Sequence, residues 1–248
     1  GISPAEAACI LDSIIGTTDV SYVNLNDSYD PDTAQACANL SACGLIREGQ
    51  LIEPQLTRAE AAVMLALATA LSFVKLYQAP LGGAVTLFSM MPIMYISFRY
   101  GVVRGLFCGF AYSVIQLIQG FGNLAYFPSA AGVIGCVVFD YLLPFTLIGI
   151  AGIFYKKNAK NSVKVITAMA GVLLACTLRF ACHYLGGVVL WYEITKEQSW
   201  NDYVKEVGKW LYSFVYNISY LGPDAAIVIA LSPFIPFLDG ALQKALKK

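Results

Sequence analysis

Residues 130–155 read AAGVIGCVVFDYLLPFTLIGIAGIFY and are followed at once by Lys156 and Lys157. A single carboxylate, Asp140, interrupts a run longer than the ~20 apolar residues a helix needs to cross ~30 Å of hydrocarbon. The basic residues at its end mark a loop on the cytoplasmic face. Similar apolar stretches run over 59–77, 84–98, 102–121, 163–191 and 210–238. Together they predict an all-α integral membrane protein, a six-transmembrane-helix bundle. The stretch 84–98 is the shortest, and Pro80, Gly82, Gly83 and Pro92 interrupt the chain around it.

Composition points the same way. Of the 248 residues 58% are hydrophobic and 13% charged, against roughly a quarter charged in soluble domains, and the mean hydropathy is +0.64. Sixteen basic and sixteen acidic residues cancel, but unevenly. Residues 1–57 carry eight of the acids and only Arg47 as a base, leaving 16 − 8 = 8 acids and 16 − 1 = 15 bases for residues 58–248. Many of those bases fall in clusters beside apolar spans: Arg99 with Arg104; Lys156, Lys157, Lys160 and Lys164; Lys244, Lys247 and Lys248. This pattern belongs to short cytoplasmic loops and not to a nucleic-acid surface, so nucleic acid is excluded and both termini are expected in the cytoplasm. Segments 78–87, 122–129 and 192–209 then face outward. Seven cysteines, no CxxC pair and one histidine make a metal site or a metal cofactor unexpected.

The first 57 residues form an acidic soluble segment, rich in turn formers from Asn24 to Asp32 and without a spanning run. The start at Gly1 in place of Met fits a longer precursor. A shift of 54 residues pairs Ala5-Glu6-Ala7-Ala8 with Ala59-Glu60-Ala61-Ala62. Residues 19–65, with Gly44-Leu45-Ile46 and the closing Leu56-Thr57-Arg58-Ala59-Glu60, resemble an S-layer homology repeat. That resemblance implies binding to cell-wall polymer outside the cell, whereas the Lys/Arg distribution places this terminus inside. The division expected is 1–57, S-layer-homology-like, and 58–248, the six-helix membrane domain.

Ionisable residues inside a membrane are costly and face a cavity or a partner, so they are the candidates for function. They are Asp140, Arg179, His183 and Asp224. Arg179 and His183 share a helix face, and Gly186-Gly187 one turn on permits close approach of another backbone or a ligand. Tyr212, Tyr216, Asn217 and Tyr220 add a polar, aromatic stripe. The structural alternative for Asp140 is an ion pair with Arg179 or capping by hydroxyls. No G-x-S-x-G, HExxH or Walker motif is present, so an enzyme is not expected, and energy from ATP must come through other subunits.

From Glu60 onward the chain resembles the thiamine-specific substrate-binding component of energy-coupling factor vitamin transporters. The resemblance lies in ATALSFVKLYQAPLGGAVTLFSMMPIMYISFRYGVVRGLFCGF, FDYLLPFTLIGIAGIF, LRFACHYLGGVVLW and WLYSFVYNISYLGP, in the family's order. It implies a protein of the bacterial cell membrane that captures thiamine from outside. Delivery then follows docking to a transmembrane coupling protein and two cytosolic ATPases. It further implies ligand contacts by Asp140 and Tyr141 at the charge and polar edges, His183 and Trp191 on the rings, and Tyr212 and Asn217 at the pyrimidine. The loop Tyr77–Val85 becomes a lid, with Tyr77 a further aromatic contact. Ala62, Ala66 and Ala70, a small-xxx-small ridge, become the surface that meets the coupling protein. The other readings are a sibling component for another vitamin or for hydroxymethylpyrimidine, and a membrane-anchored cell-envelope attachment protein.

Overall fold

The computed structural model describes residues 4–16, 18–21, 31–43, 58–156, 159–197 and 202–237. The chain divides into two compact units, Gly1–Gln55 and Leu56–Lys248. In the first, α1 (Pro4–Ile15) and α2 (Pro31–Ala42) each begin at a proline, whose fixed φ suits a first helical turn where no N–H is needed. Buried Asn39 organises this unit. Its amide donates to Asp12 (3.2 Å) and Asp19 (3.1 Å), and its carbonyl oxygen accepts from the Val20 N–H (3.1 Å) and from Gln35 (2.9 Å). Within the S-layer-like stretch, Gly44–Ile46 and Leu56-Thr57 lie outside the described residues, as do Lys157, Lys244, Lys247 and Lys248.

The second unit contains α3 (Arg58–Phe73), a hairpin of β1 (Lys75–Gln78) and β2 (Ala84–Thr86), α4 (Met91–Tyr100) and α5 (Val102–Gln119). Three long helical segments complete it: α6 (Ala130–Phe154), α7 (Asn161–Lys196) and α8 (Asp202–Phe237). Among the described residues α5, α6, α7 and α8 are long and apolar enough to cross a membrane. The stretch 84–98, expected as a spanning helix, is not one. Pro80 opens a tight turn, Gly82 takes φ +103°, and residues 84–86 pair antiparallel with β1. The helix starts only at Met91 and has ten residues, about 15 Å of rise, half the hydrocarbon thickness. Eight of those ten are buried, so α4 is a half-helix enclosed by its neighbours.

The chain then reverses at Gly101, the single residue between α4 and α5, which sits at φ +92° where a Cβ would be strained. Beside this corner Arg99 Nε donates to the Tyr100 hydroxyl, and that hydroxyl donates to Glu60 of α3 at 2.6 Å. The basic side chains Arg58, Arg99, Arg104, Lys156, Lys160 and Lys164 thus collect where α3, α5 and α7 begin and α4 and α6 end. The hairpin and the starts of α6 and α8 lie at the opposite end. Ala62, Ala66 and Ala70 are exposed on α3.

Without a hydrophobic drive between helices in lipid, close backbone contact must hold them. Gly105 of α5 and Gly149 of α6 meet with no room for a Cβ on either. The last turns of α6 narrow to 3-10 geometry, and Ser97 of α4 serves their backbone: its hydroxyl donates to Gly149 O (2.5 Å) and accepts from Gly152 N–H (2.8 Å). Gly149→Val should therefore lower the thermal midpoint of the detergent-solubilised protein, through an overpacking cost of about 1–3 kcal/mol. An unchanged midpoint in a scanning unfolding measurement would contradict this contact.

Candidate ligand-binding site

At the hairpin end of the second unit the helices separate around a cavity of about 160 Å³. Asp140, Tyr141, His183, Trp191, Tyr212 and Asn217 all line it. Tyr77 does not; it is half exposed on β1. Lys75 lines the cavity in its place, because a bulge between Lys75 and Tyr77 breaks the strand's alternation of faces.

Two helix irregularities build the site. Asp140 lies in a π turn over Val137–Leu142, and Trp191 ends another over Gly187–Trp191. On a regular α-helix, residues eight apart are about 80° apart around the axis. A π turn takes about one residue more, so His183 and Trp191 come to lie two full turns apart on one face. Both then reach Asp140. The Trp191 indole N–H donates to Asp140 Oδ2 at 2.6 Å, His183 Nδ1 stands 3.5 Å from Oδ1, and the Cys136 thiol donates to Oδ2 at 3.4 Å. With its Nδ1 proton toward Asp140, the imidazole keeps Nε2 as an acceptor; that atom is buried and has no hydrogen-bond partner among the described residues. Phe127 meets the Trp191 ring edge-on at 5.0 Å and Tyr126 at 5.8 Å, which fixes the indole plane.

Helix α8 supplies the opposite wall. Asn217 is oriented by its amide donating to Ser213 O (2.8 Å) and His183 O (3.3 Å), and its carbonyl oxygen accepts from the Tyr220 hydroxyl (2.9 Å). Tyr212 shares a hydrogen bond with Thr195 (2.9 Å). The close approach of α8 to α7 depends on Gly187, where a Cβ would strike Ser213. Tyr141 donates to Gly120 O and accepts from Asn123, both at 3.0 Å, tying α6 to the end of α5.

The suggested Asp140–Arg179 ion pair is not formed. Arg179 Nη1 bonds Asp224 Oδ2 at 2.6 Å, both side chains being buried, and Asp224 Oδ1 accepts from the backbone N–H (3.0 Å) and hydroxyl (3.1 Å) of Thr86. Arg179 also lies 5.0 Å over the Phe145 ring. The sequence reading does not single out the polar wall at the end of α5: Gln116 and Gln119 of α5 and Asn123 of the 3-10 segment Phe121–Tyr126 all line the cavity. The spacing of three between the two glutamines along an apolar helix is a signal that a search restricted to ionisable groups passes over.

A bundle of apolar helices around a polar, aromatic cavity is the architecture of a membrane protein with a small-molecule site. The chain belongs to the thiamine transporter protein family (Thia_YuaJ), whose model it matches over residues 58–243. It is 32% identical over 184 residues to thiamine transporter ThiT of Bacillus subtilis, covering 69% of this chain and 87% of that protein. It is 25% identical over 165 residues to ThiT of Lacticaseibacillus paracasei, covering 64% and 75%. A solved ThiT structure from Listeria monocytogenes shares the fold, with a TM-score of 0.54 at 21% identity over 75% of this chain and 94% of that one. The protein is accordingly a membrane transport protein and not an enzyme.

The Arg179–Asp224 pair has an energetic consequence. Asp224→Leu leaves a buried guanidinium without its counter-ion, a loss of about 3–5 kcal/mol, whereas Arg179→Met/Asp224→Leu removes both charges and should regain much of it. Thermal unfolding of the two variants in detergent checks this, and a double variant no more stable than the single one contradicts it.

Proposed function

We propose that this chain is the substrate-capture subunit of an energy-coupling factor transporter, binding thiamine in the cavity around Asp140. The observation that carries the reading is a carboxylate held by an indole N–H inside an aromatic enclosure. Thiamine joins a permanent thiazolium cation to a flat aminopyrimidine. Aromatic faces attract such a cation by about 0.5–2 kcal/mol each when desolvated, and a carboxylate adds opposite charge. Trp191 and His183 stack on the rings, Asp140 and Tyr141 meet the charge and polar edges, and Asn217 and Tyr212 hydrogen-bond the pyrimidine. Tyr77, half exposed and off the cavity wall, is not needed for this arrangement. No metal or cofactor enters the scheme.

The surrounding assembly follows from the same reading. Six helical segments in the bacterial cell membrane, α4 running only half its depth, put the basic end of the bundle and both termini in the cytoplasm and the hairpin outside. The exposed ridge Ala62, Ala66 and Ala70 offers a close-approach surface to a transmembrane coupling protein, through which two cytosolic ATPases drive release. Residues 1–57 form a soluble accessory of S-layer-homology type, without a part in binding the vitamin. A component for hydroxymethylpyrimidine is the second reading, and that ligand lacks the cation Asp140 would balance.

Thiamine should quench the tryptophan fluorescence of the purified protein saturably. Asp140→Asn should weaken thiamine by at least about 30-fold, since losing one partner of a buried charge pair costs ~2–5 kcal/mol, and weaken hydroxymethylpyrimidine by less than about fivefold. Equal losses for both ligands would remove Asp140 as the cation's counter-charge.

A further inference from the structure

The two oxygens of Asp140 are held unequally. Oδ2 accepts from the Trp191 indole N–H at 2.6 Å and from the Cys136 thiol at 3.4 Å. Among the described residues Oδ1 has the His183 Nδ1 contact at 3.5 Å, longer than an ordinary N–H···O bond. A Cβ on Gly186 would stand 3.1 Å from Oδ1, so this glycine lets the carboxylate lie close against α7. One oxygen is anchored from two sides, while the other keeps acceptor capacity for a ligand.

Cys136 is fully buried, at 0% exposure, and is not among the residues that line the cavity. Its thiol therefore has no direct route to a ligand there and reaches one only through Asp140. It stands immediately before the π turn Val137–Leu142 that carries the carboxylate. An S–H group is a weak donor, and an ionised acceptor strengthens its bond. The terminal torsion of an aspartate is broad and roughly two-fold when nothing holds it. Here the indole draws Oδ2 toward α7 and the thiol draws the same atom toward the preceding turn of α6, and these two directions together set the plane of the carboxylate.

We propose that Cys136 is a positioning residue of the ligand site: its thiol, paired with the Trp191 indole on Oδ2, turns Oδ1 of Asp140 toward the bound cation. This rests on the thiamine reading given above. A carboxylate free to rotate must be ordered when the cation binds, whereas one already anchored loses less freedom. A neutral ligand gains little from the direction of that charge, so the contribution of the thiol is specific to the cation. Because the thiol acts only through the carboxylate, its effect disappears once the charge of Asp140 is removed.

Equilibrium titration of the detergent-purified full chain with thiamine and with hydroxymethylpyrimidine, followed by tryptophan fluorescence, tests this. Cys136→Ala should weaken thiamine about threefold to tenfold, the change expected from loss of one modest hydrogen bond, and hydroxymethylpyrimidine by less than about twofold. Cys136→Ser, close to alanine in volume but with a donor on the same Cβ, should restore most of the lost affinity. In the Asp140→Asn background, Cys136→Ala should bring no further loss, so the two substitutions are strongly non-additive. Equal weakening of both ligands, or losses that simply add to those of Asp140→Asn, would make Cys136 a packing residue and overturn the positioning role. A serine variant no better than the alanine one would overturn the hydrogen bond as its basis. Absence of any thiamine signal from folded, unsubstituted protein would instead overturn the ligand assignment, and this inference with it.

Discussion

The hydrogen bond from the Trp191 indole to the Asp140 carboxylate is the interaction on which the candidate site depends. A carboxylate in the apolar middle of a bundle is tolerated only when its charge is met by donors, and here those donors all come from one neighbouring helix and from its own preceding turn. Meeting that demand requires α6 and α7 to face each other at one depth. The two π turns achieve this by rotating the side chains after them. Gly186 and Gly187 then let α6 and α8 close on α7 from either side. Local backbone irregularity, close packing and the electrostatics of one carboxylate are thus a single arrangement.

The second buried acid solves a different problem. Asp224 already has Arg179 on one oxygen, and its other oxygen is spent on Thr86, so this pair organises the hairpin and contributes no free charge to the cavity. Division of labour between the two acids follows from what each faces. Asp140 has neutral donors around it and can balance a cation from outside the protein, whereas Asp224 has its cation built in.

Much of this was legible in the sequence, and the parts that were not have physical reasons. Long apolar runs announce α5 to α8, since hydropathy over ~20 residues measures transfer into hydrocarbon directly. The hairpin stayed hidden because its bonds join residues across a turn, and apolar residues such as Leu76 and Val85 serve a strand and a spanning helix equally well. Asp140, His183, Tyr212 and Asn217 could be named because polar groups in apolar runs are few, whereas Tyr141 and Trp191 came with the family resemblance. Their convergence depends on two π turns that no local composition declares, and the bulge that turns Tyr77 away from the cavity leaves no mark in the sequence either. Gln116 and Gln119 were visible but neutral, and cost too little in a membrane to stand out beside carboxylates.

The hairpin also explains why this stretch is not a further spanning helix. A helix satisfies its own backbone and has no reason to yield, whereas a two-stranded hairpin is marginal alone and keeps its position only through what it touches. Here it touches a buried ion pair at its base and a phenol at its tip, contacts of very different strength. Opening at the tip breaks one or two neutral hydrogen bonds and relaxes Leu81, while opening at the base would strip a partner from a buried carboxylate. The weaker attachment therefore lies at Pro80–Gly83, of which Leu81, Gly82 and Gly83 line the pocket. Half-helix α4 fits the same logic: because the hairpin occupies the depth that a full helix would have filled, the cavity opens where α4 begins.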